Sequence, residues 1–119
     1  MNFSWVTLHV KDIEKSLEFY QGILKLPINR RFNANGVEIV MLGEEGKTKI
    51  ELLQDGKSHI VDGAPGVSIG LDVDSLEQSM GYMKDKQIPI QGPFSPSPHI
   101  SFFFIKDPDG VSVQLLEQK

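Results

Sequence analysis

The two halves of this chain repeat one another at a fixed spacing, and few folds satisfy that condition. Val6-Thr7-Leu8-His9-Val10-Lys11-Asp12-Ile13-Glu14-Lys15-Ser16-Leu17 aligns with Ile69-Gly70-Leu71-Asp72-Val73-Asp74-Ser75-Leu76-Glu77-Gln78-Ser79-Met80 at an offset of 63. Leu8/Leu71, Val10/Val73, Glu14/Glu77 and Ser16/Ser79 are identical, and Ile13/Leu76, Leu17/Met80 and Phe19/Tyr82 are near-equivalents. The same offset sets Ile50-Glu51-Leu52-Leu53 on Val113-Gln114-Leu115-Leu116. One register held at both ends of a unit, with no gap, predicts a duplicated module: residues 1–54 and 66–119 joined by a connector over 55–65.

Each module opens on an alternating strand, with Val6, Leu8 and Val10 or Ile69, Leu71 and Val73 on one apolar face. A helix follows. Asp12 is a suitable N-cap, and Ser75 with Gln78 has capping-box spacing. Ile13, Leu17, Tyr20 and Leu24 recur at helical spacing, as do Leu76, Met80 and Met83, until Pro27 and Pro89 stop the helices. Three strands complete each module, over 28–33, 37–43 and 47–53 and over 90–94, 99–106 and 111–117. Asn35-Gly36 and Asp109-Gly110 supply turns between strands. The expected architecture is α+β, two tandem βαβββ modules.

Composition narrows the function. The 119 residues include no cysteine, which excludes disulfides, thiolate metal sites and a cysteine nucleophile. Twelve basic against sixteen acidic residues give a net charge of −4, the wrong sign for a nucleic-acid binder. Met1 runs directly into polar Asn2 and Ser4, so neither a leader nor a membrane span is expected, and the expected location is cytoplasmic.

A duplicated βαβββ unit that closes on Asp107-Pro108-Asp109-Gly110 and Val113-Gln114-Leu115 resembles the vicinal-oxygen-chelate superfamily of glyoxalase I, extradiol dioxygenases and fosfomycin- and bleomycin-resistance proteins. The resemblance covers essentially the whole chain and is sharpest at Asp12-Ile13-Glu14-Lys15-Ser16-Leu17-Glu18-Phe19-Tyr20 and Phe104-Ile105-Lys106-Asp107-Pro108-Asp109-Gly110. It implies eight strands curled into a cleft, helices outside, and a metal or ligand within.

If Val6, Leu8 and Val10 pack under the helix, alternation sends Trp5, Thr7 and His9 to the cleft face. Lys49, Glu51 and Leu53 follow in the first module, and Ser68, Gly70, Asp72, Ser112, Gln114 and Leu116 in the second. The resemblance places the four metal-ligand positions at Trp5, Glu51, Ser68 and Gln114, where glyoxalase I-like proteins carry His or Gln at the first and third and Glu at the second and fourth. Only Glu51 is a strong ligand here. Gln114 offers a neutral carbonyl, Ser68 a weak hydroxyl, and the indole of Trp5 is a donor only. No cofactor is expected on this reading. A shifted divalent-metal site using His9, Glu51 and Asp72 is the alternative, and a hydrogen-bonded His9–Asp72 pair is the simpler explanation of those two residues.

Other residues carry two readings each. Trp5 either stacks on a planar ligand or fills space and packs against a subunit. Glu51 is a general base, a receiver for a cationic ligand, or a carboxylate satisfied by Ser68, Gln114 or Lys49. Phe102, Phe103 and Phe104 divide between core and pocket wall; Phe103 is placed on the wall with Trp5, Thr7, His9, Glu51, Ser68, Asp72 and Gln114. Of Arg30 and Arg31, one faces outward and the other can pair an anionic ligand. His99 follows a stiff Ser95-Pro96-Ser97-Pro98 loop, and His59 in the connector receives no role.

The leading expectation is metal-independent binding of a small, partly aromatic molecule by a homodimer. The alternatives are a glyoxalase-type lyase or isomerase, with Glu51 as its catalytic residue at a degenerate metal site, and a non-catalytic dimeric interaction module.

Overall fold

The computed structural model describes residues 1–57 and 63–119, so His59 and part of the expected connector lie outside the described residues. The chain divides into two compact units, residues 1–61 and 62–119. The first contains β1 (Trp5–His9), α1 (Ile13–Leu17) continuing as a π-helical turn (Glu18–Ile23), β2 (Ile28–Ala34), β3 (Val37–Leu42) and β4 (Lys49–Gln54). The second contains β5 (Ser68–Asp72), α2 (Leu76–Asp85), β6 (Gln91–Ser97), β7 (Ile100–Lys106) and β8 (Ser112–Gln118). The eight strands form two four-stranded mixed sheets, ordered β1-β4-β3-β2 and β5-β8-β7-β6.

The duplication is visible in the strand registers. In the parallel pairs, Trp5 opposite Lys49 and His9 opposite Leu53 reappear as Ser68 opposite Ser112 and Asp72 opposite Leu116. In the antiparallel pairs, Leu42 opposite Ile50 reappears as Ile105 opposite Val113. Because a slip of one residue would turn every side chain to the other face, this shared register fixes the same core positions in both modules.

Helix starts also repeat. Asp12 Oδ1 accepts from the N–H groups of Glu14 and Lys15, and Ser75 Oγ accepts from Gln78 N, as their N-cap positions require. The next free donors reach across to the last strand: Ile13 N donates to Gln54 Oε1 at 2.7 Å, and Leu76 N to Glu117 Oε1 at 2.8 Å. Each helix is thereby tied to the sheet it covers.

The repeat is not gapless, contrary to the sequence expectation. Lys25 and Gln87, both left-handed at φ 62° and 58°, end the two helical segments, and each lies two residues before a proline. Their separation is one residue less than the offset of the strands. The π-helical turn absorbs the extra residue of the first module, with Leu24 N donating to Phe19 O in place of the α-helical partner. The wider turn also buries the consecutive Phe19 and Tyr20, whose rings meet edge to face at 4.9 Å. Leu24, placed on the core face by regular α spacing, is only half-buried.

β6 restores the register. It pairs with β7 through Gln91–Phe104, Phe94–Phe102 and Ser97–Ile100, with an irregularity between each successive pair. The expected Ser95-Pro96-Ser97-Pro98 loop is therefore strand as far as Ser97. The prolines are tolerated because β6 is the edge strand of its sheet and its bulged pairing leaves their missing N–H groups unneeded. In the first module, Asn35 (φ 54°) and Gly36 (φ 83°) form the tight β2–β3 turn with both residues left-handed.

Core residues sit between each helix and its sheet. Leu8, Val40, Leu42, Ile50 and Leu52 meet Ile13, Leu17 and Tyr20 in the first module. Phe103, Ile105, Val113 and Leu115 meet Leu76 and Met83 in the second. Phe103 is fully buried and lies opposite Leu115, which corrects its expected place on a pocket wall. Strand register decides this: residues facing Val113 and Leu115 must lie on the helix side, leaving Phe102 and Phe104 for the other.

On the helix side of β2, Arg31 donates to Glu14 of α1 and, at 2.9 Å, to Glu38 of β3. Its hydrogen bond to Glu14, followed by that to Glu38, pushes the guanidinium above its ordinary range. The bonds from Arg31 and then Asn33 hold the Glu38 carboxyl below the usual carboxylate range.

Two predictions follow from this packing. Phe103→Ala should lower unfolding free energy by about 3–5 kcal/mol in urea titrations, while Phe94→Ala, at an exposed position, should cost less than about 1 kcal/mol. Glu38 has a folded pKa below its unfolded one, so its stabilisation is present above the unfolded value and lost as pH falls through the folded one. NMR titration of the Arg31→Gln variant should show the Glu38 carboxyl returning upward toward the ordinary range.

Candidate functional site

The helix of each module seals one face of its sheet, so functional side chains must come from the opposite face. In the first module that face carries Trp5, Thr7 and His9 from β1 and Lys49, Glu51 and Leu53 from β4, as alternation predicted. Register extends it to Met41 and Ile39 on β3 and to Arg30 and Phe32 on β2, which lie opposite them.

An open concavity of about 910 Å³ occupies one end of this face. Trp5, Arg30, Phe32, Met41, Lys49 and Glu51 contribute to its wall, together with the chain before β1 and the β3–β4 loop. Trp5 is 52% exposed and Phe32 37%. The Arg30 guanidinium lies over the Phe32 ring, 5.1 Å from its centroid, a distance at which the cation is attracted to the ring face.

Glu51 is not a lone carboxylate. Its Oε1 accepts from Thr7 Oγ1 at 2.6 Å, across the parallel pairing that sets the two residues opposite each other. Thr7 thus does what the sequence reading assigned to Ser68, Gln114 or Lys49. The Lys49 ammonium turns instead to the carbonyl of Lys47. His9 is exposed beside this pair, one register step along β1.

In the second module the corresponding face carries Ser68 and Asp72 from β5 and Gln114 from β8, with Gly70 opposite Gln114. Asp72 Oδ1 accepts from Gln118 Nε2 at 2.8 Å. A Cβ at Gly70 would lie 3.2 Å from Leu116 Cδ2 and 3.4 Å from Gln114 Oε1, so the glycine leaves room for the Gln114 amide. Phe94, Phe102 and Phe104 form an aromatic cluster there, with centroids 5.6–6.3 Å apart. Gly92, at φ 120°, lets the Phe94 ring approach to where a Cβ would be 3.1 Å away. His99 is exposed, with its backbone N–H bonded to Ser97 Oγ.

Comparison with known proteins agrees with this architecture. Residues 2–115 match the family model of the Glyoxalase/Bleomycin resistance protein/Dioxygenase superfamily. The chain belongs to that superfamily. No curated protein sequence matches it. Among solved structures, TnmS3, an antibiotic-binding protein from Streptomyces sp. CB03234, superposes with a TM-score of 0.80 at 16% identity, covering 100% of this chain and 97% of that one. The trypanothione-dependent glyoxalase I of Leishmania major gives a TM-score of 0.81 at 22% identity over 98% of this chain and 86% of that one. A glyoxalase family protein from Enterococcus faecalis gives 0.77 at 17% identity, over 98% and 97% of the two chains. At these identities the likeness is one of fold.

The metal that the resemblance implies would draw on Trp5, Glu51, Ser68 and Gln114, and as a donor set these side chains do not fit it. The Trp5 indole has no lone pair to give, Ser68 and Gln114 offer only neutral oxygens, and Glu51 is the one carboxylate among the four. Among the described residues, no three His, Asp or Glu side chains converge as a metal site requires. Sequence reasoning left Phe32 out of the site and did not choose between Arg30 and Arg31 as the inward-facing arginine; the structure turns Arg30 and Phe32 to the open face. Their spacing of two was a signal that both face the same way, but only the β2–β3 register shows that this is the side Trp5 occupies.

Proposed function

We propose that this protein binds a small, partly aromatic molecule without a metal, using the open face of the first module. The observation that carries this reading is the concavity of about 910 Å³ walled by the exposed Trp5 indole and Phe32 ring. Its size falls within the ordinary range for small-molecule sites, and flat, exposed aromatic surfaces with a few polar groups are what such ligands stack upon. The polar groups are Glu51, oriented by Thr7, and Arg30. An antibiotic-binding protein shares the fold over the full chain, which supports a binding role. In the second module, Gln114 and Ser68 offer hydrogen bonds from neutral groups, and Asp72 accepts one from Gln118.

Trp5 is the only tryptophan, so its fluorescence reports on the concavity directly. Protein purified with nickel, zinc and manganese supplied, then treated with chelator, should bind aromatic fragments with dissociation constants changed less than about twofold (under ~0.4 kcal/mol). Stoichiometric metal retention, with binding abolished by chelation, overturns the reading.

We also propose self-association as a homodimer. The strand β6 is an edge of its sheet and carries Phe94 exposed at 41%, and a second copy would cover that edge. Sedimentation equilibrium should give a dimer mass at micromolar concentrations; a monomer throughout overturns it.

A further inference from the structure

We propose that the ligand of the first module's concavity carries a carboxylate on its aromatic body, and that Arg30 receives it. This rests on the reading of the concavity as a small-molecule site and names the chemical class that the site selects.

The inference comes from the polar partners of the charged residues in the wall. Glu45 accepts from Asn29 Nδ2 at 2.7 Å, Lys47 pairs with Glu44 at 2.7 Å, and Glu51 accepts from Thr7. The Lys49 ammonium donates to the carbonyl of Lys47. Arg30 differs from all of these. Among the described residues its guanidinium stands over the Phe32 ring, and the wall carboxylates Glu45 and Glu51 bond to Asn29 and Thr7 rather than to it. The neighbouring Arg31, on the other side of the same strand, has two carboxylates.

In the free protein, water solvates Arg30. A planar molecule that covers the Phe32 ring must displace that water, because the guanidinium lies against that ring. Covering a cation without supplying an acceptor is unfavourable, since its hydration is lost and nothing replaces it. A neutral aromatic ligand incurs that loss. A cationic one leaves the guanidinium equally without an acceptor and is repelled by it, while the wall carboxylates Glu45 and Glu51 already accept from Asn29 and Thr7. A ligand with a carboxylate replaces the water with charge-assisted, two-pronged hydrogen bonds that the guanidinium fork is shaped to make.

Three probes of similar shape separate the charge from the ring: 2-naphthoate, neutral 2-naphthamide and cationic 2-naphthylmethylammonium. Binding is measured by calorimetry, with the Trp5 indole N–H resonance locating the probe. Naphthoate should bind about tenfold more tightly than the amide. Arg30→Gln should remove that advantage while changing amide affinity less than about twofold. Arg31→Gln serves as the control, since it removes the same charge from the opposite face and should leave naphthoate affinity nearly unchanged.

Equal or tighter binding of the amide or the ammonium overturns the carboxylate inference and leaves the aromatic-binding reading intact. So does a loss of naphthoate affinity in Arg31→Gln as large as in Arg30→Gln, which would indicate general charge attraction. If none of the three probes binds or shifts the Trp5 resonance at millimolar concentration, the inference falls together with the reading beneath it.

Discussion

Within each module the first strand lies parallel beside the last, and parallel neighbours need a long crossover to join them to the rest of the sheet. Here the crossover is the helix that follows β1 or β5. It carries the chain from one edge of the sheet to the other, since β1 and β2, or β5 and β6, stand at opposite edges. A helix on that path must cover one face. Val6, Leu8 and Val10 are apolar because they lie beneath it. Trp5, Thr7 and His9 are free to be otherwise because they do not. The asymmetry between a sealed face and an open one therefore precedes any particular chemistry.

The parallel pairing then arranges the polar groups of the open face. Thr7 stands opposite Glu51 because Trp5 stands opposite Lys49, and the hydroxyl meets the carboxylate at hydrogen-bonding distance as a consequence. The duplicate pairing sets Gly70 opposite Gln114, where neither side chain is charged. The two modules thus share a backbone register while presenting different functional groups. The first offers a charged and aromatic concavity, and the second an amide beside a cluster of phenylalanines. Duplication conserved the core and left the open faces to diverge.

Departures from the repeat fall where the backbone can absorb an extra residue. The first helical segment widens into a π turn, and β6 bulges at the edge of its sheet. Neither disturbs the central pairs β3–β4 and β7–β8, whose residues are buried on the helix side and cannot slip without exposing the core. Edge strands and helix ends have no such penalty. Both irregularities also have local consequences: the π turn buries Phe19 and Tyr20 together, and the bulged β6 brings Phe94 against Phe102 and Phe104.

Much of this architecture was legible in the amino-acid sequence. Period-two alternation separated Leu8 and Leu52 from Thr7 and Glu51, Asp12 and Ser75 marked the helix starts, and Asn35-Gly36 marked a hairpin, because each depends on local backbone geometry. Three things were not legible. Phe103 could not be told from Phe102 and Phe104 as the core residue, since a run of identical side chains carries no phase and only the register with Leu115 supplies it. Thr7 could not be identified as the partner of Glu51, because 44 residues separate them and only the parallel pairing brings them together. Arg30 and Phe32 could not be joined to Trp5, because their common face is defined through β3 and β4. The sequence by itself determined a duplicated module, its strands and its apolar faces, all consequences of periodicity and short-range sterics. Only the tertiary structure decided which polar and aromatic groups share a surface, because that depends on pairings between strands distant in the chain.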